Sequence, residues 1–397
     1  MKVLELVESA SAGVGRHVVD LTAGLIARGH EVHLLYSDVR ADRTFAEDLR
    51  RLEKHAGFQA VQVSMHRWPS GSDVHAIRVL RQYVGRRGPF DLIHCHSTKA
   101  GLIGRLGLLG HNVKRLYTPH MFVTMQPERA ALTKWAVARL EEGLSLLCDR
   151  LIVVSTEEHS HALELGIPAA RLSLIPNGVS LDQPRLSASE RDAIRSKWGL
   201  RNAEVCIGFV GRLANQKSPQ TLLQAFATLL QRTGVPVRLI MIGEGSLESS
   251  SRQLAAGLKV AERITWLGAC DARPLMEAFD MLALTSVSEG HPLVVLEAMA
   301  RGLPIVATRV GGISETVQHG VNGFIAPVRG VQEIATALEI LVDNPELRRQ
   351  MGQASLAISR NFSVDRMVDH TVALYEQVIP GRKATAMSQD LKMAATR

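Results

Sequence analysis

The chain has 397 residues, 46% of them hydrophobic and 4% aromatic, with a formal net charge of +7 and a sequence pI near 9.4. A length beyond what one core usually sustains predicts two domains, and the lack of long polar or single-residue tracts excludes fibrous and disordered classes. The positive balance favours anionic partners such as phosphates, nucleic acid or an acidic membrane surface; its cations are not gathered into runs, and of these partners nucleic acid is not expected.

"KVLELV" reads as a strand directly after Met1, leaving no room there for a leader with a charged start, an apolar middle and a cleavage site. "ESASAGVGRHV" follows and opens a helix around 15–28. It stands where a phosphate loop would, but Val18 takes the third glycine position and no acid ends the second strand, so it is not a dinucleotide fingerprint. Gly13 and Gly15 are read as points where backbone approaches a ligand, with a tight structural turn as the equal alternative.

The alternation continues through "HEVHLLYS", a helix at 43–56, "FQAVQVS", a helix at 73–87 and "FDLIHCH", which predicts βαβ units and a parallel sheet. His94 and His96 share one strand face with Cys95 opposite, which reads as a polar strand end rather than a metal site. "VKRLYTPH" then sets His120 at the C-terminal end of a strand, where it could touch a bound sugar. A helix near 129–147 carries Leu132, Trp135, Ala136, Leu140, Gly143 and Leu144 at helical spacing beside Lys134 and Arg139. Core packing is its first reading and a membrane-facing helix the second. Between Arg78 and Arg150 cations outnumber acids; a solvated surface is the plain reading and a patch for anionic lipid the alternative.

"RLIVVS" closes a first domain over residues 1–180. "LIPNGVSLDQPRLSASERD" has linker and turn chemistry, and "AEVCIGFVGRL" restarts the alternation as a second α/β domain over 203–363, with helices at 218–231, 246–258, 271–279 and 313–319. An amphipathic helix over 364–380 is expected to return to the first domain, ahead of a tail at 381–397. The predicted fold class is therefore α/β, with two Rossmann-like doubly wound domains facing across a cleft that holds the site. Cys95, Cys148, Cys206 and Cys270 form no CxxC pair and are expected as buried small hydrophobes in a reducing cytoplasm. No apolar run approaches the roughly 18 residues of a membrane span, so membrane contact would be peripheral, at the inner face.

The chemistry concentrates in two stretches. In "SEGHPLVVLEAMARGLPIVAT", Pro292 suits a first helical position, and Gly302 with Pro304 stops the helix. The first-turn amides of Leu293 and Val294 lack intrahelical acceptors and make a phosphate site. Glu297, one turn deeper, suits a ribose, and Glu289 on the preceding loop faces the other end of a nucleoside diphosphate. The plain alternative is that Glu289 caps the helix electrostatically and Glu297 is exposed. In "FVGRLANQKSPQTLL", Arg212 follows a strand and Lys217 precedes a helix with Ser218 as its cap and Pro219 at its first position. Both cations suit a diphosphate held without a metal, and no Asp-x-Asp pair occurs in the chain.

On these residues the chain resembles glycosyltransferase family four, the retaining enzymes of the GT-B fold, over nearly its whole length. "SEGHPLVVLEAMARGLPIVATRVGGISETV" and "FVGRLANQKSPQTLLQAF" are the most specific parts, the first containing the family's E-x7-E pattern at Glu289 and Glu297. The resemblance implies a UDP- or GDP-type sugar donor, with no cofactor and no obligatory metal. Arg212 and Lys217 would hold its diphosphate, Glu297 its ribose, and Glu289 with Gly290, His291, Pro292, Leu293 and Val294 its sugar and phosphates. His120 would reach the donor sugar. A glycan or polyprenyl-linked acceptor is expected, in cell-surface polysaccharide or lipopolysaccharide assembly.

Two positions depart from the family pattern. Ala12-Gly13 stands where Gly-Gly is frequent, and His291 stands where the family varies. No carboxylate occupies the position of a nucleophile, which points to front-face retention in which the leaving diphosphate takes the acceptor's proton. A nucleotide-sugar epimerase of the same architecture, or a non-catalytic sugar-nucleotide-binding partner, are the alternatives.

Overall fold

The computed structural model describes residues 1–379 apart from 69, 183 and 202. The expected tail at 381–397, and the last residue of the expected helix at 364–380, lie outside the described residues.

The chain divides into two compact units. The first, built mainly from residues 1–177 and the C-terminal helix, contains β1 (Lys2–Val7), α1 (Ala12–Ala27), β2 (Glu31–Tyr36), α2 (Arg43–Leu52), β3 (Phe58–Gln62), α3 (Ser72–Arg87), β4 (Leu92–His96), α4 (Thr98–Gly107), β5 (Lys114–Thr118), α5 (Ala131–Ser145), β6 (Arg150–Val153), α6 (Thr156–Glu164) and β7 (Leu172–Leu174). Its seven strands are all parallel, in the order β3-β2-β1-β4-β5-β6-β7. The order reverses direction between β1 and β4, and a doubly wound sheet opens a crevice at such a point, outside the carboxyl ends of its strands.

The second unit starts at Gly178 and repeats the plan. It contains α7 (Ala188–Lys197), β8 (Val205–Val210), α8 (Pro219–Arg232), β9 (Val237–Ile242), α9 (Glu248–Gly257), β10 (Ile264–Gly268), β11 (Met281–Leu284), α10 (Leu293–Ala300), β12 (Ile305–Thr308), α11 (Ile313–Thr316), β13 (Gly323–Ala326), α12 (Val331–Asp343) and α13 (Pro345–Ser359). Its parallel order β10-β9-β8-β11-β12-β13 reverses between β8 and β11. Both sheets read as near-continuous apolar runs, "VCIGFV" and "MLAL" for example, because helices cover both of their faces.

Several expectations change. The stretch read as linker contains α7, which a capping box at Ser187 and Glu190 starts. Arg191 and Arg195 pin that helix to Asp280 at 2.7 and 3.0 Å, so the stretch expected as a linker before residue 203 belongs to the second unit, whose main segment begins at Gly178. The helix expected over 271–279 is a single 3-10 turn, Met276–Ala278. α14 (Val364–Val378) lies in the first unit, where Arg28, just after α1, meets Asp365 and Asp369 at 3.2 and 2.7 Å.

α5 also departs from its first reading. Leu132, Trp135 and Leu140 are 77%, 63% and 46% exposed, whereas Leu144 is buried. Helical spacing of apolar residues does not by itself distinguish a core stripe from an apolar outer face. Several cations between Arg78 and Arg150 are spoken for: Lys99 pairs with Asp73 at 2.7 Å, Lys114 with Asp149 at 2.9 Å and buried Arg105 with Glu141 of α5 at 2.9 Å. Cys95, Cys148 and Cys206 are buried, but Cys270 is exposed. Among the described residues no helix is long and apolar enough to cross a membrane.

Candidate functional site

In the second unit, the switch between β8 and β11 gathers both stretches singled out in the sequence. The chain leaves β8 through Gly211 and Arg212, makes a 3-10 turn at Asn215–Lys217, and enters α8 through Ser218. Pro219 holds the first helical position as expected, but Ser218 does not cap the backbone. Its backbone is left-handed, with φ 45°, and its hydroxyl meets Thr221 Oγ1 at 2.8 Å. This sharp entry is locked from the neighbouring strand, because Thr285 Oγ1 donates to the carbonyls of Lys217 and Ser218 at 3.1 and 3.0 Å.

The second stretch is a loop from β11 into α10. Leu293 rather than Pro292 opens the helix, with buried Pro292 at the preceding position. Glu289 is 7% exposed and is no simple electrostatic cap: Lys217 Nζ reaches its Oε1 at 2.5 Å, and Ser286 Oγ donates to the same oxygen at 2.5 Å. Gln216 ties the loops together, donating to Ser288 O at 3.0 Å and accepting from Val287 N at 2.8 Å, while Arg212 Nη2 donates to its side-chain oxygen at 3.2 Å. Glu297 is half-buried on α10. The His291 ring is buried against Phe362, and burial pushes its pKa down to about 4, so it is neutral.

Glycines set how close the third loop comes. Gly311 has φ 53°, and a Cβ there would stand 2.3 Å from the Glu289 carbonyl oxygen and 2.4 Å from that of Gly290. One on Gly312 would meet His291 Cδ2 at 2.1 Å. Gly312 N donates to Gly290 O at 2.6 Å. The result is a walled strand-end site with a lysine, an arginine, a paired carboxylate and the first-turn amides of Leu293 and Val294, which have no acceptor inside the helix. Such a set can hold an anion: the cations and helix dipole supply the charge, and the amides supply donors.

The first unit has its own polar cluster at the β1–β4 switch, and here sequence reading fell short. His94 and His96 share a face at a polar strand end as expected, and both are fully buried. His96 Nε2 meets Glu5 Oε2 at 2.5 Å, and its Nδ1 meets His120 Nε2 at 3.1 Å. His94 bonds Tyr375 OH and Thr118 Oγ1, both at 2.7 Å, and Tyr375 OH donates to Glu5 Oε1 at 3.3 Å. His17 Nδ1 meets Asn177 Oδ1 at 2.9 Å, with its ring 4.6 Å from that of His120.

Burial raises the Glu5 carboxyl to about 7, so that it is only partly ionised at neutral pH, and burial with the neighbouring His96 lowers His17 to about 3, keeping that ring neutral. Glu5, His17, Asn177 and Tyr375 were not anticipated. Glu5 carried the one available signal, an acid inside the otherwise apolar strand "KVLELV".

His120 is half-buried and has a left-handed backbone, φ 61°, followed by Met121 at φ 148°. Strained backbone of this kind persists where surroundings over-determine it. Nearby, Ala12 holds φ 47° at the start of α1, the position where the resemblance implies glycine. Gly13 has open space around it, whereas a Cβ on Gly15 would stand 2.9 Å from the Ala10 backbone, so Gly15 serves packing.

Comparison with known proteins places this geometry in a family. The description "Glycosyl transferases group 1" fits residues 190–357, and "Glycosyltransferase Family 4" fits residues 11–183. The chain is 30% identical over 294 residues to the putative glycosyltransferase EpsD of Bacillus subtilis, covering 72% of this chain and 76% of that one. It is 32% identical to the D-inositol 3-phosphate glycosyltransferase of Nocardia farcinica, covering 72% and 66% respectively. Among solved structures, Anabaena HepE in complex with UDP superposes with a TM-score of 0.78 at 23% identity, covering 95% of this chain and 100% of that one. WaaG, a glycosyltransferase involved in lipopolysaccharide biosynthesis, superposes at 0.74 and 16%, covering 96% and 100%. The chain belongs to the group 1 glycosyltransferases of family four and has the GT-B fold.

Proposed function

We propose that the protein transfers a hexose, with retention of configuration, from a UDP- or GDP-type donor to a glycan or lipid-linked acceptor in cell-surface polysaccharide assembly. The observation that carries this reading is the convergence of Lys217, Arg212, Glu289 and the α10 amides at one strand-end switch. It is supported by the UDP and UDP-glucose that the Anabaena HepE structures contain.

Arg212, Lys217 and the amides of Leu293 and Val294 receive the diphosphate, Glu297 the ribose, and Glu289 with the Gly290–Pro292 backbone the sugar side. Lys217 is already held by Glu289, so an incoming phosphate shares a cation whose position is fixed rather than ordering a free one. In the first unit, sugar contact is assigned to His120. Gly13, with its open surroundings, is assigned to ligand approach.

In the proposed step the acceptor oxygen forms a bond to the anomeric carbon on the face from which the diphosphate leaves. The bond from that carbon to the phosphate oxygen breaks, and the acceptor's proton passes to the departing phosphate. Charge on the departing group is what Arg212, Lys217 and the helix dipole stabilise, and no metal is required for that. The donor's release of nucleoside diphosphate, assayed with and without EDTA, tests this: equal rates are expected, and activity that needs an added divalent ion overturns the metal-free step.

An anionic membrane surface is the proposed location of the acceptor. Exposed Leu132, Trp135 and Leu140 on α5, with Arg129 above the exposed Trp68 ring at 5.4 Å, combine an apolar face with a cation.

A further inference from the structure

The polar cluster of the first unit contains a continuous hydrogen-bonded chain from Glu5 through His96 to His120, with contacts of 2.5 and 3.1 Å. Each imidazole in such a chain has one constraint: when neutral, one of its nitrogens donates and the other accepts. With Glu5 ionised, Oε2 accepts from His96 Nε2–H. His96 Nδ1 is then an acceptor, His120 Nε2 must carry the proton, and His120 Nδ1 is left as an acceptor.

Adding one proton to the Glu5–His96 pair inverts the chain. Whether that proton rests on the carboxyl or on the ring, His96 Nδ1 becomes a donor. His120 Nε2 then accepts, and its Nδ1 carries the hydrogen.

We propose that Glu5, acting through His96, decides which nitrogen of His120 is protonated, so that His120 Nδ1 meets a bound molecule as an acceptor above the transition and as a donor below it. Glu5 and His96 are thereby positioning residues for His120. The inference deepens the reading of His120 as a sugar contact and rests on that reading for its consequence, though not for the chain itself.

The surroundings restrict where the inverting proton can go. The titratable groups facing the chain are His17 from α1, His94 from β4 and Tyr375 from α14; Asn177 and Thr118 complete the wall. His94 is committed on both nitrogens. Because Tyr375 OH donates to Glu5 Oε1, it accepts from His94 Nδ1, and His94 Nε2 accepts from Thr118. His17 Nδ1 is held by Asn177. Burial of Glu5 brings the transition near neutrality, its carboxyl being raised to about 7. The left-handed backbone of His120 holds the ring at the end of the chain.

Histidine 15N shifts, which distinguish protonated from unprotonated ring nitrogens, test the chain directly in the full-length protein, with the His120 resonances assigned from an H120Q variant. In the wild type the two His120 nitrogens should exchange their shifts as pH falls through neutrality. In Glu5→Gln, whose amide donates permanently to His96, the Nδ1–H form should persist at all pH values. A His120 tautomer that neither pH nor Glu5→Gln changes overturns the proposal, and the wild-type titration decides it even where the variant fails to fold.

Donor turnover separates the two readings. Loss of the pH step in kcat/KM for Glu5→Gln, together with a large loss of turnover in His120→Ala, supports both. A tautomer exchange with undiminished turnover in His120→Ala keeps the chain and removes the sugar contact.

Discussion

Lys217 Nζ and Glu289 Oε1 stand 2.5 Å apart, joining the entry of α8 to the entry of α10 across the β8–β11 switch. Their side chains are only 15% and 8% exposed, so each charge depends on the other for compensation. The pair both orders the loops and fixes a cation beside the amides of α10.

Removing one partner should therefore cost more than removing both. Lys217→Met and Glu289→Gln are each expected to lower unfolding free energy by about 1–3 kcal/mol, below the range for fully buried pairs because Lys217 keeps some water contact. The double variant should lose less than the two losses added. Urea denaturation of the four proteins completes the cycle, and strict additivity would show that the contact carries no energy.

Gly311→Ala and Gly312→Ala should disturb the Glu289–His291 loop without touching a charge. The added methyl has nowhere to go at 2.3 Å from the Glu289 carbonyl oxygen or 2.1 Å from His291 Cδ2. A loss of about 1–3 kcal/mol is expected at each position, with weaker nucleotide affinity measured by calorimetry on the folded fraction.

Stability should fall as the solution is acidified. His17 and His96 are lowered to about 3 and His291 to about 4, all below their unfolded value, so their contribution is present above about 6.5 and is lost as pH falls toward the folded values. Glu5, raised to about 7, and Glu158, raised to about 8, act oppositely: their contribution is full below the unfolded carboxyl value and is lost as pH rises through the folded one. The lowered histidines outnumber the raised acids, since burial also pushes His94 and His120 down. Each net proton is worth about 1.4 kcal/mol per pH unit. Urea midpoints at pH 7.5 and 5.5 check the sign, and a higher midpoint at the acidic end would contradict it.

Leu132→Glu combined with Trp135→Glu should reduce binding to phosphatidylserine vesicles about tenfold or more, since two apolar side chains lose their burial and acids replace them. Sedimentation with vesicles of phosphatidylcholine alone is the comparison. The fold should be unaffected, both residues being exposed.

Much of the architecture was legible because parallel strands covered on both faces are short apolar runs, and those runs alternate with amphipathic helices. The E-x7-E stretch was legible too, since a helix start with Pro292 before it announces its own free amides. What Glu289 meets was not, because Lys217 is 72 residues away and only the pairing of β8 with β11 brings them together. The same holds for Glu5, whose register opposite His94 comes from β1–β4 pairing. Glycine spacing at residues 13 and 15 looked uniform in the sequence, but one lies in open space and the other against Ala10.

The most direct test of the central claim is the melting temperature of the purified protein against UDP, GDP, ADP and their common sugar conjugates, with and without EDTA. A ligand that prefers the folded state at 100 times its Kd adds about 2.7 kcal/mol. One nucleotide class is expected to raise the melting temperature, equally in EDTA, with the rise diminished in Arg212→Ala and Lys217→Ala. No rise with any nucleotide, or an unchanged rise in both variants, would contradict a diphosphate held between Arg212, Lys217 and the start of α10.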